Sequence, residues 1–284
     1  MNRIGIIAKF NDPRAVKTAV ELNDWLVSKD KTVVTAAHVG AASSNDAIPL
    51  SEISAHVDLM VVLGGDGTLL ETGRYFVNSG VPILGINLGR LGFLTDTPLT
   101  SMLDVMQEVL AGRFKTKHHF ALEAKVYNDG KLQHSGIAMN DVVLQRNDHP
   151  RMIEFEMLAR DQFVFRLRAD GLVLATPAGS TAYALSAGGA ILHPEIDAIS
   201  VVPICPHTIS NRPIILPAND PIELRLIDSP APAALNLDGQ VHSTLTTADS
   251  VCIQKAGEIT LVYLPQWHYF DMLRSKLGWT GQLK

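Results

Sequence analysis

Up to about residue 117 the apolar positions of this chain fall in short unbroken runs. Ile4 to Ala8, Lys31 to Ala36, Asp58 to Leu63 and Val81 to Ile86 have strand length and few polar positions. Strands covered by helices on both faces read this way, and such strands belong to parallel sheets. Between the runs the spacing becomes helical. Pro13 to Val27 carries Val16, Val20 and Leu26 on its apolar side, with Asp12 as a cap. Leu69 to Phe76 is a second helical segment, and Thr100 to Leu110 repeats Met102, Leu103, Met106 and Leu110. The alternation predicts an N-terminal α/β domain with a parallel sheet, whose ligands sit at the carboxyl ends of the strands.

After residue 117 the pattern turns to short strands: Leu122 to Tyr127, Ser135 to Met139, Val142 to Gln145, Ile153 to Ala159, Gln162 to Arg168 and Leu172 to Ala175. Asn128-Asp129-Gly130 and Arg160-Asp161 punctuate them as hairpin turns. Further strands are expected at Ser200 to Ile204, Ile222 to Leu226, Ala234 to Leu237, Ser250 to Lys255 and Ile259 to Leu264, and a last helix at Phe270 to Leu277. Residues 1–117 thus form the α/β domain and 118–264 a β-rich, sandwich-like domain. The pattern leaves open whether 265–284 returns to the first.

The 284 residues are 46% hydrophobic and 19% charged, enough for one large or two moderate domains. A net charge of −5 gives no sign of bulk nucleic-acid binding. No apolar run approaches the roughly 20 residues of a membrane span, and the N-terminal run reads as a strand rather than a signal peptide. Two cysteines, Cys205 and Cys252, without a CxxC pair, fit a reduced, cytoplasmic protein.

The strongest chemical signal is Gly64-Gly65-Asp66-Gly67-Thr68, directly after a buried strand and before a helix. Glycines let backbone N–H groups approach an anion, and the helix N-terminus adds unpaired donors. A carboxylate in such a loop needs a task. Two fit: touching Mg²⁺, or taking a proton from a hydroxyl that attacks phosphorus. Both belong to phosphoryl transfer. No GxxxxGK[ST], GxGxxG or kinase HRD motif occurs, so neither a common P-loop protein nor a protein kinase is indicated.

A second block runs from Asp170-Gly171 through Thr176 to Gly189, rich in small and hydroxyl residues. Ser180 and Thr181 have hydroxyls to offer a base or phosphate, and Tyr183 a ring to stack. Equally, this is a loop in which Ser180 or Thr181 caps a helix. Asn140-Asp141 suits adenine and ribose, but by itself reads as a hairpin turn. Arg151 and Arg168 suit phosphate or a solvated sheet edge. His118-His119 points to opposite faces of a strand and carries no metal role. Asp238-Gly239-Gln240 reads first as a turn.

On these residues the chain resembles the bacterial NAD kinases over nearly its whole length. The match includes Gly64 to Thr68, Asn87 to Leu94, Asn140-Asp141, the Asp170-to-Gly189 block, Asp238-Gly239-Gln240 and Lys276-Leu277-Gly278-Trp279. The resemblance implies phosphorylation of the 2′-hydroxyl of NAD's adenosine ribose by ATP with Mg²⁺, giving NADP, at a site between the two domains. It implies Asp66 as proton acceptor with Gly65, Gly67 and Thr68 beside it. Asn140 and Asp141 hold the adenosine. Asp170, Thr181, Ala182, Tyr183, Ala184, Leu185 and Ser186 line the dinucleotide, and Arg151, Arg168 and Gln240 touch it. No fixed metal site is implied, since the Mg²⁺ arrives with ATP. A homo-oligomer, dimer or tetramer, is implied as well. Two positions depart from the family: Asp141 stands where Glu is usual, and Ala178 where Thr or Ser is usual. The absent hydroxyl removes about 0.5–1.5 kcal/mol of hydrogen bonding. The glycine loop is shared with lipid kinases, so a lipid kinase and a non-enzymatic NAD(P) sensor are the competing readings.

Overall fold

The computed structural model describes residues 1–37, 47–89, 92–147, 149–208 and 210–279. Arg90 and Leu91, in the Asn87-to-Leu94 segment, lie outside them. The first elements are β1 (Arg3–Ala8), α1 (Pro13–Val27), β2 (Thr32–Ala37), β3 (Ile48–Pro49), β4 (Leu59–Gly64), α2 (Asp66–Arg74), β5 (Pro82–Asn87), β6 (Thr97–Pro98), α3 (Met102–Leu110), β7 (Lys115–Asn128), β8 (Lys131–Ala138) and β9 (Asp141–Gln145). Then come β10 (Ile153–Ala159), β11 (Gln162–Ala169), β12 (Gly171–Ala175), α4 (Tyr183–Ser186), β13 (Ala198–Ile204), β14 (Ile214–Pro217), β15 (Ile222–Asp228), β16 (Ala233–Leu237), β17 (Gln240–Leu245), β18 (Asp249–Tyr263) and α5 (Tyr269–Leu277). The chain divides into two compact units, Met1–His118 with Ile259–Lys284, and His119–Glu258.

The first unit is built on a parallel sheet of order β3-β2-β1-β4-β5, with the end of β18 beyond β5. β1 has β2 on one side and β4 on the other, so the strand order reverses there. Ligands of such sheets bind in the crevice at this reversal, outside the carboxyl ends of the strands. β4 is buried at every residue and delivers Gly65 and Asp66 to that end. Leu59, Val61 and Leu63 of β4 share a core with Ile4, Leu22, Leu26, Leu84 and Met106.

Helix α1 starts where its cap and proline place it. The Asp12 carboxylate accepts from the Arg14 N–H at 3.0 Å, and Pro13 opens the first turn. Its apolar side differs from the expected one. Ala15, Thr18, Leu22 and Leu26 are buried, whereas Val16 and Val20 are 58% and 56% exposed. At about 100° per residue, Val16 lies roughly 115° and Val20 roughly 155° around the axis from the buried line. The smaller Ala15 and Thr18 let the helix approach the sheet there, and hydropathy alone favoured the valines. Helix α2 also starts earlier than expected, at Asp66 rather than Leu69.

The second unit contains two antiparallel sheets. One has order β14-β13-β12-β9-β16-β17, and the other joins β11, β10, β15 and the start of β18, with the β7–β8 hairpin on β18. Leu144, Leu172, Leu174, Val201 and Leu235 of the first meet Leu122, Phe155, Met157, Leu224 and Ile253 of the second in one core. Val143, Val173, Ala175 and Val202, on the other face of the first sheet, pack with Ala184. Its central strands are therefore covered on both faces, and their sequences are apolar at consecutive positions.

Where two strands were expected at 250–255 and 259–264, one 15-residue strand, β18, runs through Ala256-Gly257. β7 begins at Lys115 rather than Leu122, because its first residues are polar and give no apolar signal. Strands β14 and β17 were not anticipated. The turns at 128–130 and 160–161 are present: Asp129, Gly130, Arg160 and Asp161 all have positive φ, as two-residue hairpin turns require. Leu22→Ala is expected to destabilise the protein by about 2–5 kcal/mol, and Val20→Ala by less than about 0.5 kcal/mol; denaturant midpoints of the two variants measure the difference.

Candidate active site

Asp66 is the first residue of α2 and the acceptor for a turn formed by residues 92–95. Its Oδ2 accepts from the Phe93 N–H at 2.7 Å. Its Oδ1 accepts from the Leu94 and Thr95 N–H groups at 3.2 and 2.9 Å and from the Thr95 hydroxyl at 2.8 Å. Three bonds share the two lone-pair positions of Oδ1 and one occupies Oδ2, so a single acceptor position, on Oδ2, stays open. Behind Thr95, the buried Asn87 amide donates to its hydroxyl at 2.9 Å and to its carbonyl at 3.2 Å. Gly92 closes the turn by donating to the Thr95 carbonyl. A Cβ at Gly92 would stand 1.8 Å from Asp66 Oδ1, so only glycine lets the carboxylate seat there.

The other loop residues divide in two. A Cβ added at Gly65 or Gly67 meets nothing within 4 Å, so packing does not demand these glycines. Thr68 is buried over Gly64. Asp96 follows Thr95. Burial pushes its carboxyl up to about 6, and the Asp66 charge adds to the rise. Burial also pushes the Tyr263 phenol up, reinforced by Asp96 and then Asp66. Asp96 and Thr95 were missed at the sequence level; the polar pair closing the apolar Phe93-Leu94 was the available signal.

In the second unit a cavity of about 410 Å³ is lined by Asn140, Asp141, Tyr183, Asn236 and Asp238, among others. Asn140-Asp141 is not a hairpin turn. β8 and β9 are unpaired with each other, and the chain crosses there from one sheet to the other. The Asp238 carboxylate holds the crossing, accepting from the Met139, Asn140 and Asp141 N–H groups at 3.0, 2.7 and 3.2 Å. Asp238 itself opens the 238–239 turn, with positive φ at both residues. Thr176 adds a second hold: its hydroxyl donates to the Met139 carbonyl at 2.8 Å and accepts from the Gly179 N–H. A Cβ at Gly179 would stand 1.9 Å from the Asn140 carbonyl oxygen. Asp141 is 4% exposed and receives no hydrogen bond on its carboxylate from a described residue. Burial pushes its carboxyl up to about 7, with Asp238's charge adding to it.

Among the expected residues, Asn140, Asp141, Ala182 and Tyr183 line this cavity, and Tyr183 is 41% exposed. Ala184 does not, since its side chain is buried in the core with Val143 and Val202. Ser180 is no helix cap and has no hydroxyl to offer: it donates to the Pro177 carbonyl at 2.6 Å and accepts from the Leu192 N–H at 2.9 Å. Thr181 donates to the Ala178 carbonyl. Leu185 is half-buried and Ser186 exposed, and neither lines the cavity. Asp170 sits beside Gly171, which pairs with Gln145, at the other end of β12 from Ala175 and Asp141. That is four residues, roughly 13 Å, along the strand. It is ion-paired with Arg146 at 2.7 Å, a partner the sequence did not suggest. Arg151, Arg168 and Gln240 are exposed and outside the cavity lining. Asn236 and the Asp238 carboxylate were missed. A polar residue between Leu235 and Leu237 of a buried strand was the signal for the former.

Among the described residues no group of three or more His, Cys, Asp or Glu is placed to hold a metal ion, and no helix is long and apolar enough to cross a membrane.

Residues 4–114 match the ATP-NAD kinase N-terminal domain and residues 139–263 the ATP-NAD kinase C-terminal domain. An NAD kinase of Magnetococcus marinus is 41% identical over 98% of this chain and 94% of its own length. One of Nitrosomonas europaea is 41% identical over 99% and 96%. The crystal structure of yeast NADH kinase complexed with NADH superposes with a TM-score of 0.88 at 30% identity, covering 100% of this chain and 89% of that one. An Archaeoglobus fulgidus NAD kinase in complex with ATP shares the fold, with a TM-score of 0.76 at 23% identity over 98% and 100%. Fold and matches together define a nucleotide-dependent phosphotransferase. The chain belongs to the ATP-NAD kinase family, which makes it an ATP-dependent kinase of NAD. Neither the lipid-kinase nor the sensor reading finds support among these relatives.

Gly92→Ala is expected to displace the Asp66 carboxylate and lower NADP formation about a hundredfold, as misplacement by about 1 Å does; a coupled NADP assay reads it. For Asp141, an acid whose pKa rises on folding holds its proton longer in the native state. Its contribution therefore favours folding at low pH and is lost as pH rises from about 4 to about 7. Asp141→Asn should raise the thermal midpoint at pH 8 and leave it nearly unchanged at pH 4.

Proposed function

We propose that Asp66 accepts the proton of the ribose 2′-hydroxyl of NAD as that oxygen takes the γ-phosphoryl group of ATP. The observation that carries this reading is the single open acceptor position of a carboxylate otherwise fixed by four hydrogen bonds. Four donors hold the carboxylate in place, so no reorganisation is needed when the hydroxyl arrives. The glycine loop around Gly65 and Gly67 lies at the positive end of α2, with open space where their side chains would be, and suits phosphate oxygens. The transition state is loose, so positioning and charge supply most of the rate.

The cavity of the second unit supports binding of the adenosine part. Asn140 has the donor–acceptor pair that adenine N6 and N7 require. The Asp141 carboxylate, buried and without a hydrogen bond from a described residue, is an acceptor awaiting ribose hydroxyls. Tyr183 offers an exposed ring to stack. Thr181, Ala182, Leu185 and Ser186 belong to the same segment and complete the dinucleotide surface in this reading. Asp170, Arg151, Arg168 and Gln240 act on more distant parts of the ligand. Ala184 contributes backbone only.

A divalent cation carried on ATP fits these residues better than a resident ion, since the only carboxylate position open at the loop is Asp66 Oδ2 among the described residues. Such an ion, when bound, neutralises charge developing on the phosphate oxygens. The reading also carries a homo-oligomer and a cytoplasmic location, and two free cysteines suit the latter.

Asp66→Asn tests the assignment. A general base contributes about 10²–10⁴ to turnover, so kcat should fall by that factor while the Kd for NAD by calorimetry stays within threefold. A kcat near that of the unaltered enzyme would remove Asp66 from proton transfer.

A further inference from the structure

The Asp66 carboxylate is only as fixed as the 92–95 turn that donates to it. That turn is irregular backbone, so whatever holds the turn decides where the carboxylate stands. Two neighbouring strands of the first unit supply the holds.

β5 supplies the first. Asn87, its last residue, donates to the Thr95 carbonyl and hydroxyl. Gly85, two residues earlier, lets Thr95 lie against the strand. A Cβ there would stand 2.9 Å from Thr95 Cγ2 and 3.3 Å from Thr95 Cα.

The other side of the turn has no such packing. Gly92 and Asp96 line a cavity of about 260 Å³ opposite Gln266, Trp267 and Met272. Groups facing a void have no contact atoms on that side. A directed bond has to do there what packing does on β5.

The end of β18 supplies that bond. β18 runs parallel beside β5, with Leu261 opposite Ile83, and ends at the buried Tyr263. Four residues on, the Trp267 backbone N–H donates to the Leu264 carbonyl at 3.0 Å. The Trp267 ring meets the Tyr263 ring with centroids 4.3 Å apart, and the Lys117 ammonium sits 4.9 Å from its own centroid. The indole is thus fixed to the strand end. Its ring N–H donates to the Asp96 carboxylate. Asp96 directly follows Thr95, so this bond ties the end of the turn to β18 as Asn87 ties its middle to β5.

We propose that Trp267 is a positioning residue for the reaction: by holding Asp96 it sets the 92–95 turn, and through the turn the Asp66 carboxylate. The proposal rests on the reading of Asp66 as proton acceptor. It adds the segment after β18 to the parts that aim that carboxylate.

The test is steady-state NADP formation by the full chain, with calorimetry of NAD binding. Trp267→Phe keeps a ring on Tyr263 and removes the N–H donor. It should lower kcat about tenfold, less than the roughly hundredfold cost of a 1 Å misplacement, with the Kd for NAD within twofold of the unaltered protein. Asp96→Ala removes the same bond from its other end, leaves the aromatic pair intact, and should lower kcat by a similar factor. Asp96→Asn keeps an acceptor oxygen and should recover most of that loss. The decisive readout is the pairing with Asp66→Asn. A residue that acts through Asp66 has little left to act on in that background, so adding Trp267→Phe should lower the residual kcat less than twofold. A further tenfold loss there would overturn the proposal, because it would mean that Trp267 serves stability or touches a substrate independently of Asp66. Unchanged kcat in both Trp267→Phe and Asp96→Ala would overturn it too. Failure of the underlying reading shows separately, as a near-normal kcat in Asp66→Asn alone.

Discussion

Each unit of this protein fixes its functional turn with one aspartate gripping three consecutive backbone N–H groups. Asp66 holds Phe93, Leu94 and Thr95, and Asp238 holds Met139, Asn140 and Asp141. Hydrogen bonds to a charged acceptor are roughly twice as strong as neutral ones. They also satisfy N–H groups that an irregular segment would otherwise leave unmade. The irregular backbone that presents the functional groups is thus tied down without extra secondary structure.

The neighbouring residues follow from these two grips. Gly92 and Gly179 are glycines because a Cβ would collide with Asp66 Oδ1 and with the Asn140 carbonyl. Thr95, Asn87 and Thr176 are buried polar residues whose hydrogen bonds brace the gripped segments. Two carboxylates placed close by, Asp96 and Asp141, lose hydration and feel the gripping aspartates as like charges. The same arrangement that orders the backbone therefore raises the basicity of a nearby acid in each unit.

Much of this was legible in the sequence where local chemistry decides structure. Continuous apolar runs gave β4 and β5, positive-φ dipeptides gave the hairpins, and the glycines around Asp66 marked the loop. Long-range partners decided what was not legible. Val16 and Val20 look like a core face until Ala15 and Thr18 meet the sheet. Ser180 looks available until its hydroxyl is taken by Pro177 and Leu192. Asp238 reads as a turn residue, because its carboxylate bonds a segment 97–99 positions away. Asp170 looks like part of the small-residue block, but β12 carries it to the opposite strand end.

The central claim is phosphoryl transfer from ATP to the 2′-hydroxyl of NAD. The most direct measurement is phosphorus and proton NMR of the products after incubating the protein with NAD and Mg-ATP. The account predicts one ADP for each new phosphomonoester, with the ester on the 2′-oxygen of the adenosine ribose. ADP without a new phosphomonoester, or a phosphate on any other oxygen, would contradict it.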